Sequence, residues 1–525
     1  MTSTLTRPPA ASPDDVAPVR TPPLTGTWLT TGDHKRLGAL FLAGGVIAVA
    51  AACASAVVFF LEAQTATFWS APTSRLASLT TASALVVGVP ALWIGLATSV
   101  VPLQIGATRL ALPRLHTLAL WTLAVGAVLT AVGHLAEPDA LNSLASSLPA
   151  AAVAGEPSPD GTQLIVAGLF VVVLAILLAG ISLLATILNR RAEGLRLTYL
   201  PLFSWSTLAT STVVVLAAPV LLAGLALLYF DHHYGGQILS AGLGSFRIWA
   251  HELWIPGHPF GLLFAAAGVG LLSDVVATHA GRPLVGFPVA RVAAAAAPVL
   301  TLLLFAGDVS ILESPFGSVA TIGGIVVGLP LGLALITWLG TLKAGRPKAH
   351  PSLLFVLLFL LTVGLATALS VVAVLVGVEG RDADAFRNGQ ITLLSLALPL
   401  LALGGGAVHW SPKLYGRVTP AGLGGIQALL LFAGPVLLAA PGYLIGLGSG
   451  DGVVLLGAAG AVVTAVGVLM TLLDLAARGA TSEADPYGGT TLEWATASPP
   501  PPHNFDELPD IRSAHPLATD PGATA

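Results

Sequence analysis

"LAGISLLATILNRRAEGLRLTYLPLFSWS", residues 178–206, leaves one apolar run, crosses a loop carrying Arg190, Arg191 and Arg196, and enters a second apolar run. The flanking runs, residues 163–189 and 203–229, are each long enough to cross a hydrocarbon core of roughly 30 Å as a helix. The stretch therefore reads as two membrane-spanning helices joined on the side of the bilayer that collects arginine and lysine.

The same unit recurs outward in both directions. About twelve apolar runs of this length are present, at residues 38–60, 77–103, 116–136, 163–189, 203–229, 252–276, 288–307, 318–342, 353–377, 391–411, 421–447 and 453–474. Composition agrees: of 525 residues, 55% are hydrophobic and 9% charged, against roughly a quarter charged in a soluble domain. The chain is expected to be an all-α integral membrane protein. Residues 1–31 lack an apolar signal segment and read as a disordered leader, residues 32–478 as the membrane domain, and residues 479–525 as a tail.

Basic loops fix the expected orientation. Lys35 and Arg36, Arg109 and Arg114, Arg190 to Arg196, Arg282, Lys343 to Lys348, Lys413 with Arg417, and Arg478 all fall on one side. Both termini are thus predicted to be cytoplasmic. The net charge of -4 and the absence of a basic face give no sign of nucleic-acid binding. Cys53 is the only cysteine, which excludes disulfides and dithiol chemistry within the chain.

Proton and electron carriers place ionisable or ligating groups at mid-membrane depth. None of the runs has a carboxylate, lysine or arginine near its centre; Glu252, Asp274 and Asp474 lie close to ends. Three histidines, His134, His258 and His409, fall in or at the rim of apolar runs, and for His134 and His409 a solvated or backbone-bonded ring is expected. One deeper histidine supplies neither a copper site nor a haem with two axial ligands.

The loop motifs resemble subunit I of the haem-copper oxidases, of the cytochrome c oxidase type, along nearly the whole chain. "TTGDHKRLG" (30–38) resembles that family's entry to its first helix, and "VVPLQIGATRLALPRLHTLALW" (100–121) its second-to-third helix loop. Residues 178–206 resemble its fourth-to-fifth helix segment, "WSPKLYGR" (410–417) the exit of its tenth helix, and "DPYGGTTLEWATASPPPPHNF" (485–505) its C-terminal signature. The resemblance implies a twelve-helix bundle, haem and copper cofactors, electron transfer from cytochrome c to oxygen, and subunit II or III as partners.

Residue by residue, the implied chemistry is missing. The family's haem ligand in the second helix falls on Leu79, and its two haem ligands in the tenth helix fall on Gln390 and Thr392. Of the copper ligands, the Gly-His-Pro histidine is kept as His258, while the adjacent pair falls on Phe305 and Ala306. The family's tyrosine is Leu262, its glutamate Phe260, and the acidic and basic residues of its two proton paths are Arg109 and Ala334. No shift of register restores the ligands, because no histidine occurs between residues 60 and 110, 280 and 349, or 351 and 408. His258 therefore reads as a remnant of a copper position.

The sequence thus points to a degenerate, non-catalytic oxidase subunit I-like protein of a bacterial plasma membrane, acting in scaffolding, assembly or regulation beside other oxidase subunits and lipid. No cofactor is expected. Two alternatives stand beside it. One is an active terminal oxidase, with haem and copper held by unusual ligands. The other is a channel or transporter on the same scaffold, for which Pro90, Pro219, Pro298, Pro330 and Pro399 would mark broken helices. Bulky Leu79, Phe260, Leu262 and Phe305 favour a dry repacked interior, whereas Ala306, Thr392 and Ala334 leave room for a residual cavity that a lipid or quinone tail could enter.

Overall fold

Apolar runs of span length become helices because, in lipid, every backbone N–H and C=O must be paired within its own segment. The computed structural model describes residues 30–65, 86–136, 160–234, 259–310, 319–378, 380–449, 451–477, 479 and 483–518. Among these residues there is no strand. The principal helices are α1 (His34–Thr65), α2 (Val89–Gln104), α3 (Pro113–Ala136), α4 (Asp160–Asn189), α5 (Leu202–Tyr234), α6 (Pro259–His279), α7 (Phe287–Ser310), α8 (Val319–Ala344) and α9 (Pro351–Val376). They continue with α10 (Gly380–Thr392), α11 (Leu398–His409), the short α12 (Ser411–Tyr415), α13 (Ala421–Gly446) and α14 (Leu455–Ala476).

Ten helices among the described residues are long and apolar enough to cross a membrane, α10 and α11 together forming one of them. Helices α7 and α8, of 24 and 26 residues, add the apolar stretches Phe287–Thr301 and Gly328–Ala344. Every apolar run read from the sequence thus has a helix among the described residues, with three differences at the starts. The second is helical from Val86 among the described residues. The sixth is helical from Pro259 among the described residues. The tenth begins earlier than its apolar run, because the polar segment Gly380–Thr392 is already helical and passes through a π turn, Leu393–Ala397, into α11. Pro399 follows that turn; it has no N–H to give to the carbonyl of Ser395, four residues back, and the helix widens there.

The prolines do not break the other helices. Helices α5, α7 and α8 run through Pro219, Pro298 and Pro330, and Pro90 lies at the start of α2, where a missing N–H costs nothing. The paired broken helices that a transporter reading would need are therefore not seen at these positions.

Burial separates an inner from an outer set. Every residue of α2 and α11 is buried, and α6 is buried almost throughout from Leu262 onward. Outer helices present apolar residues to the surroundings, as α3 does with Leu118, Val125, Val128 and Val132. Such exposed leucines and valines are what a lipid-facing surface requires, and they show the chain to be a multi-pass membrane protein.

The C-terminal tail is not a free appendage. Residues 485–505 lie across one end of the bundle with Trp494 and Asn504 buried. Asn504 Nδ2 donates to the carbonyl of Ala107 at 2.7 Å, and its Oδ1 accepts from Lys35 Nζ at 2.8 Å. The start of α1, the ends of α2, α6, α11 and α14, and the start of α9 all meet this end, as the basic-loop pattern requires of loops on a common side.

Candidate functional site

The implied cofactors would lie inside the bundle, between the second, sixth, seventh and tenth spans, so the fit of that interior is the first question. Leu79 and His258 lie outside the described residues. Phe260, Phe305 and Ala306 fall on α6 and α7, but their side chains are outside what the structure describes. Leu262 and Ala334 are buried, Arg109 is exposed, and Gln390 and Thr392 are half-buried.

At the two haem-ligand positions of the tenth span, neither residue offers a ligand. Gln390 accepts a hydrogen bond from the Tyr443 hydroxyl at 2.6 Å. The Thr392 hydroxyl donates to the carbonyl of Asn388 at 2.9 Å. Beside them, α10 and α13 touch backbone to backbone: a Cβ added at Gly442 would stand 2.6 Å from Gly389 N, and one added at Gly389 would stand 2.9 Å from Tyr443 N. Deeper in the bundle, a Cβ at Gly404 would meet the Phe355 ring at 2.8 Å, locking α11 against α9.

The enclosed cavity beside Leu262, Ala266, Val269, Leu331, Phe359 and Leu398 has a volume of about 20 Å3, room for about one water. A wider apolar groove, about 250 Å3, lies elsewhere, between α4 and α5 at Phe170, Leu225, Tyr229 and Phe230. Among the described residues no group of three His, Cys, Asp or Glu could hold a metal ion. At the two tenth-span positions that the resemblance assigns to haem ligands, Gln390 and Thr392 are engaged within the protein and do not fit a haem ligand by donor type.

Polar chemistry is concentrated at the tail end instead. His409, expected to be solvated or bonded to the backbone, is neither. It is fully buried, and its Nδ1 lies 3.1 Å from His279 Nε2. Two neutral imidazoles share one hydrogen there, one donating and the other accepting. His350 stacks on His279 with ring centroids 4.1 Å apart and planes at 12°. Rings stacked face to face aim their nitrogens along parallel planes, so these two cannot converge on one metal. Tyr487 of the tail closes the cluster, its ring 5.0 Å from His279 and 4.9 Å from His350. Burial holds the His350 imidazole down at about 4, far below its ordinary value, and pushes the Tyr487 hydroxyl up to about 12. His134 does behave as expected: its Nδ1 bonds the carbonyl of Thr130 at 2.6 Å.

A second cluster joins three helices to the tail. Asp274 of α6 accepts from the first two backbone N–H groups of α5, Leu202 and Phe203, each at 3.0 Å, where a carboxylate suits the helix dipole. Gln104 Nε2 of α2 gives one hydrogen to Asp274 at 3.0 Å and the other to Glu493 of the tail at 3.2 Å. Gln104 Oε1 accepts from Ser204 at 2.7 Å, and Trp410 Nε1 donates to Glu493 at 3.3 Å. Next to it, Lys413 Nζ donates to the carbonyls of Ala484 and Thr496 at 2.8 and 2.6 Å and lies 5.3 Å from the centre of the Trp494 ring. Burial lowers this ammonium to about 8.

The sequence reading took Lys413 as a loop cation and Asp274 as a helix-end carboxylate, and it did not single out His279, His350, Gln104 or Glu493. Gln104, a long polar side chain inside "VVPLQIG", was the one local signal; the histidines come together only through tertiary packing. His503 of the tail is exposed and pairs with Asp506 at 2.7 Å.

Known proteins place this arrangement. Quinol oxidase subunit 1 of Bacillus subtilis (strain 168) is 29% identical over 522 residues, covering 93% of this chain and 79% of that protein. A putative cytochrome c oxidase subunit 1-beta of Streptomyces avermitilis is 28% identical over 522 residues, 93% of this chain and 91% of the relative. The heme-copper oxidase subunit I+III of Aeropyrum pernix is 28% identical over 515 residues, 92% of this chain and 62% of that longer protein. The family described as cytochrome C and quinol oxidase polypeptide I matches residues 36–451. A shared bundle, shared loop motifs and a match over most of its length together establish that the chain belongs to this family.

Proposed function

We propose that this oxidase subunit I-like membrane protein is non-catalytic and serves as a scaffold, assembly or regulatory subunit of a respiratory complex in a bacterial plasma membrane, with its tail end facing the cytoplasm. The observation that carries the reading is the tenth span, where Gln390 and Thr392 stand at the haem positions with their side chains engaged in the protein. Leu79, Phe305 and Ala306 at the other ligand positions support it, and leave His258 as a remnant without copper-binding partners. The names of the relatives support the family setting and, in the subunit I+III protein, a physical link to a partner subunit.

The decisive measurement is an absorption spectrum with metal analysis of the protein purified from membranes of haem-replete cells. Absence of a haem Soret band and of stoichiometric copper is the expected result. Two haems and one copper per chain would overturn the proposal and restore the active-oxidase reading. Co-purification of a subunit II or III homologue is expected alongside, and its absence would remove the complex from the proposal.

A further inference from the structure

Lys413 and the buried carboxyls at the tail end find their partners within the chain; two arginines at the same end keep most of their donors free. Arg196 opens the short turn Leu197–Tyr199 that leads into α5, and Arg291 lies in the second turn of α7. Packing brings both to that one turn. Arg291 Nη1 donates to the carbonyl of Thr198 at 2.9 Å, and the Arg291 carbonyl accepts from Trp205 Nε1 at 2.9 Å. The guanidinium carbon of Arg291 lies 5.9 Å from the centre of the Trp205 ring, and that of Arg196 lies 6.0 Å from the centre of the Tyr199 ring. Two cations thus flank the turn, each resting near an aromatic side chain. A guanidinium carries five N–H donors and no acceptor, and it stays charged. Arg291 commits one of its donors to Thr198; among the described residues the Arg196 side chain donates to none, and neither arginine forms an ion pair. Asp510 of the tail, next to the Ile511 that packs on Gly194, is taken by Arg512 at 2.6 Å.

The surroundings of the pair are those of a bilayer surface. Leu197 on the turn is exposed, and Tyr199 and Trp205 are half-buried. Leu216, about three turns beyond Trp205 and so back on its face of α5, is exposed, as are Val292 and Val299 of α7. Open leucine and valine, then an aromatic pair, then cations is the order in which groups suit a membrane from its hydrocarbon to its headgroups. We propose that Arg196 and Arg291 together hold the phosphodiester of one anionic phospholipid, with its glycerol against Tyr199 and Trp205 and its acyl chains along the exposed residues of α5 and α7. The planar fork of each guanidinium matches a pair of phosphate oxygens. The lipid has to carry a net negative charge, because a zwitterionic headgroup would bring a third cation to a site that already holds two. None of the haem or copper positions takes part, so the site stands apart from the non-catalytic reading.

Native mass spectrometry of the delipidated full-length protein, titrated with phosphatidylglycerol or with phosphatidylcholine of the same acyl chains, tests the site. Arg196→Gln and Arg291→Gln should each weaken binding of the first phosphatidylglycerol by about fivefold, the share of one basic residue at an anionic surface. The wild-type protein should accordingly prefer the first phosphatidylglycerol over the first phosphatidylcholine on the order of twentyfold, the product of two such shares. Binding of phosphatidylcholine should be the same in all variants, which checks that the fold is kept. Exchanging Arg109 and Arg114 together for glutamine removes two exposed charges from the same basic end and should leave the first phosphatidylglycerol bound as in the wild type. Equal affinity for the two lipids, an affinity unchanged in either Arg196→Gln or Arg291→Gln, or an equal loss in the Arg109 and Arg114 variant would each overturn the proposal.

Discussion

Near Gln390, α10 and α13 meet glycine against glycine, and the cavity beside Leu262 and Leu398 holds about one water. At the tail end, the same bundle gathers the buried His279 and His409, the half-buried His350, two carboxyls, an ammonium and two indoles within one layer of contacts. The first region is packed backbone against backbone; the second is held by hydrogen bonds and ring contacts between helix ends and the tail. The two regions are stabilised by different physics. The interior depends on shape. The end depends on hydrogen bonds that are costly to leave unmade.

Breaking the polar end should have the largest effect. Lys413→Met leaves the carbonyls of Ala484 and Thr496 without their donor and should cost about 3 kcal/mol, read as a lowered midpoint in denaturant titration of the detergent-solubilised protein. If the change were neutral, the tail end would not differ from the interior in the way argued above. The interior comes next. Gly442→Val forces side-chain atoms onto the Gly389 backbone and should cost about 1–3 kcal/mol by overpacking. Were a haem-sized gap present between α10 and α13, the valine would be tolerated.

The histidine layer gives a pH dependence with a definite sign. His350 has a folded value of about 4, below its ordinary value of about 6.5, so the unfolded chain takes up a proton first as pH falls. Its contribution is intact above the ordinary value and is lost as pH drops from there toward the folded value. The melting temperature should fall between pH 7 and pH 5. The slope should weaken in His350→Asn, which keeps an acceptor for the Ser352 N–H that His350 caps at 3.3 Å. The smallest effects belong to exposed positions outside both regions: Arg109→Asp and His503→Ala should each change stability by less than about 0.5 kcal/mol, and Arg109→Asp should bring no oxygen consumption with it.

The contrast also sets how far the sequence could be read. Span positions were legible because bilayer thickness fixes the length of an apolar helix, and α13 and α14 fall within two residues of the runs at 421–447 and 453–474. The polar start of α10 was hidden, since "GRDADAFRNGQ" carries no apolar signal and is recognised as helix only in place. Gln390 and Thr392 could be singled out because the motif at residues 410–417 gives a fixed point to count from, and both lie on the tenth span. The histidine layer was not visible. His279, His350 and His409 sit at three helix ends far apart in sequence, and His409 looks like an ordinary rim residue until the other two rings are set against it.

One contact spans almost the whole chain: the buried ring of His34, at the start of α1, bonds Asn504 at 3.1 Å. During synthesis, α1 enters the bilayer long before residue 504 leaves the ribosome. Throughout that interval the imidazole has only the Thr98 carbonyl and the neighbouring Lys35 only Asp33, because the Asn504 amide that bonds both is not yet made. The membrane domain can therefore assemble its helices early, but this end is sealed only when the segment carrying Asn504 arrives. A chain cut short before Asn504 would carry this defect at the end where it began.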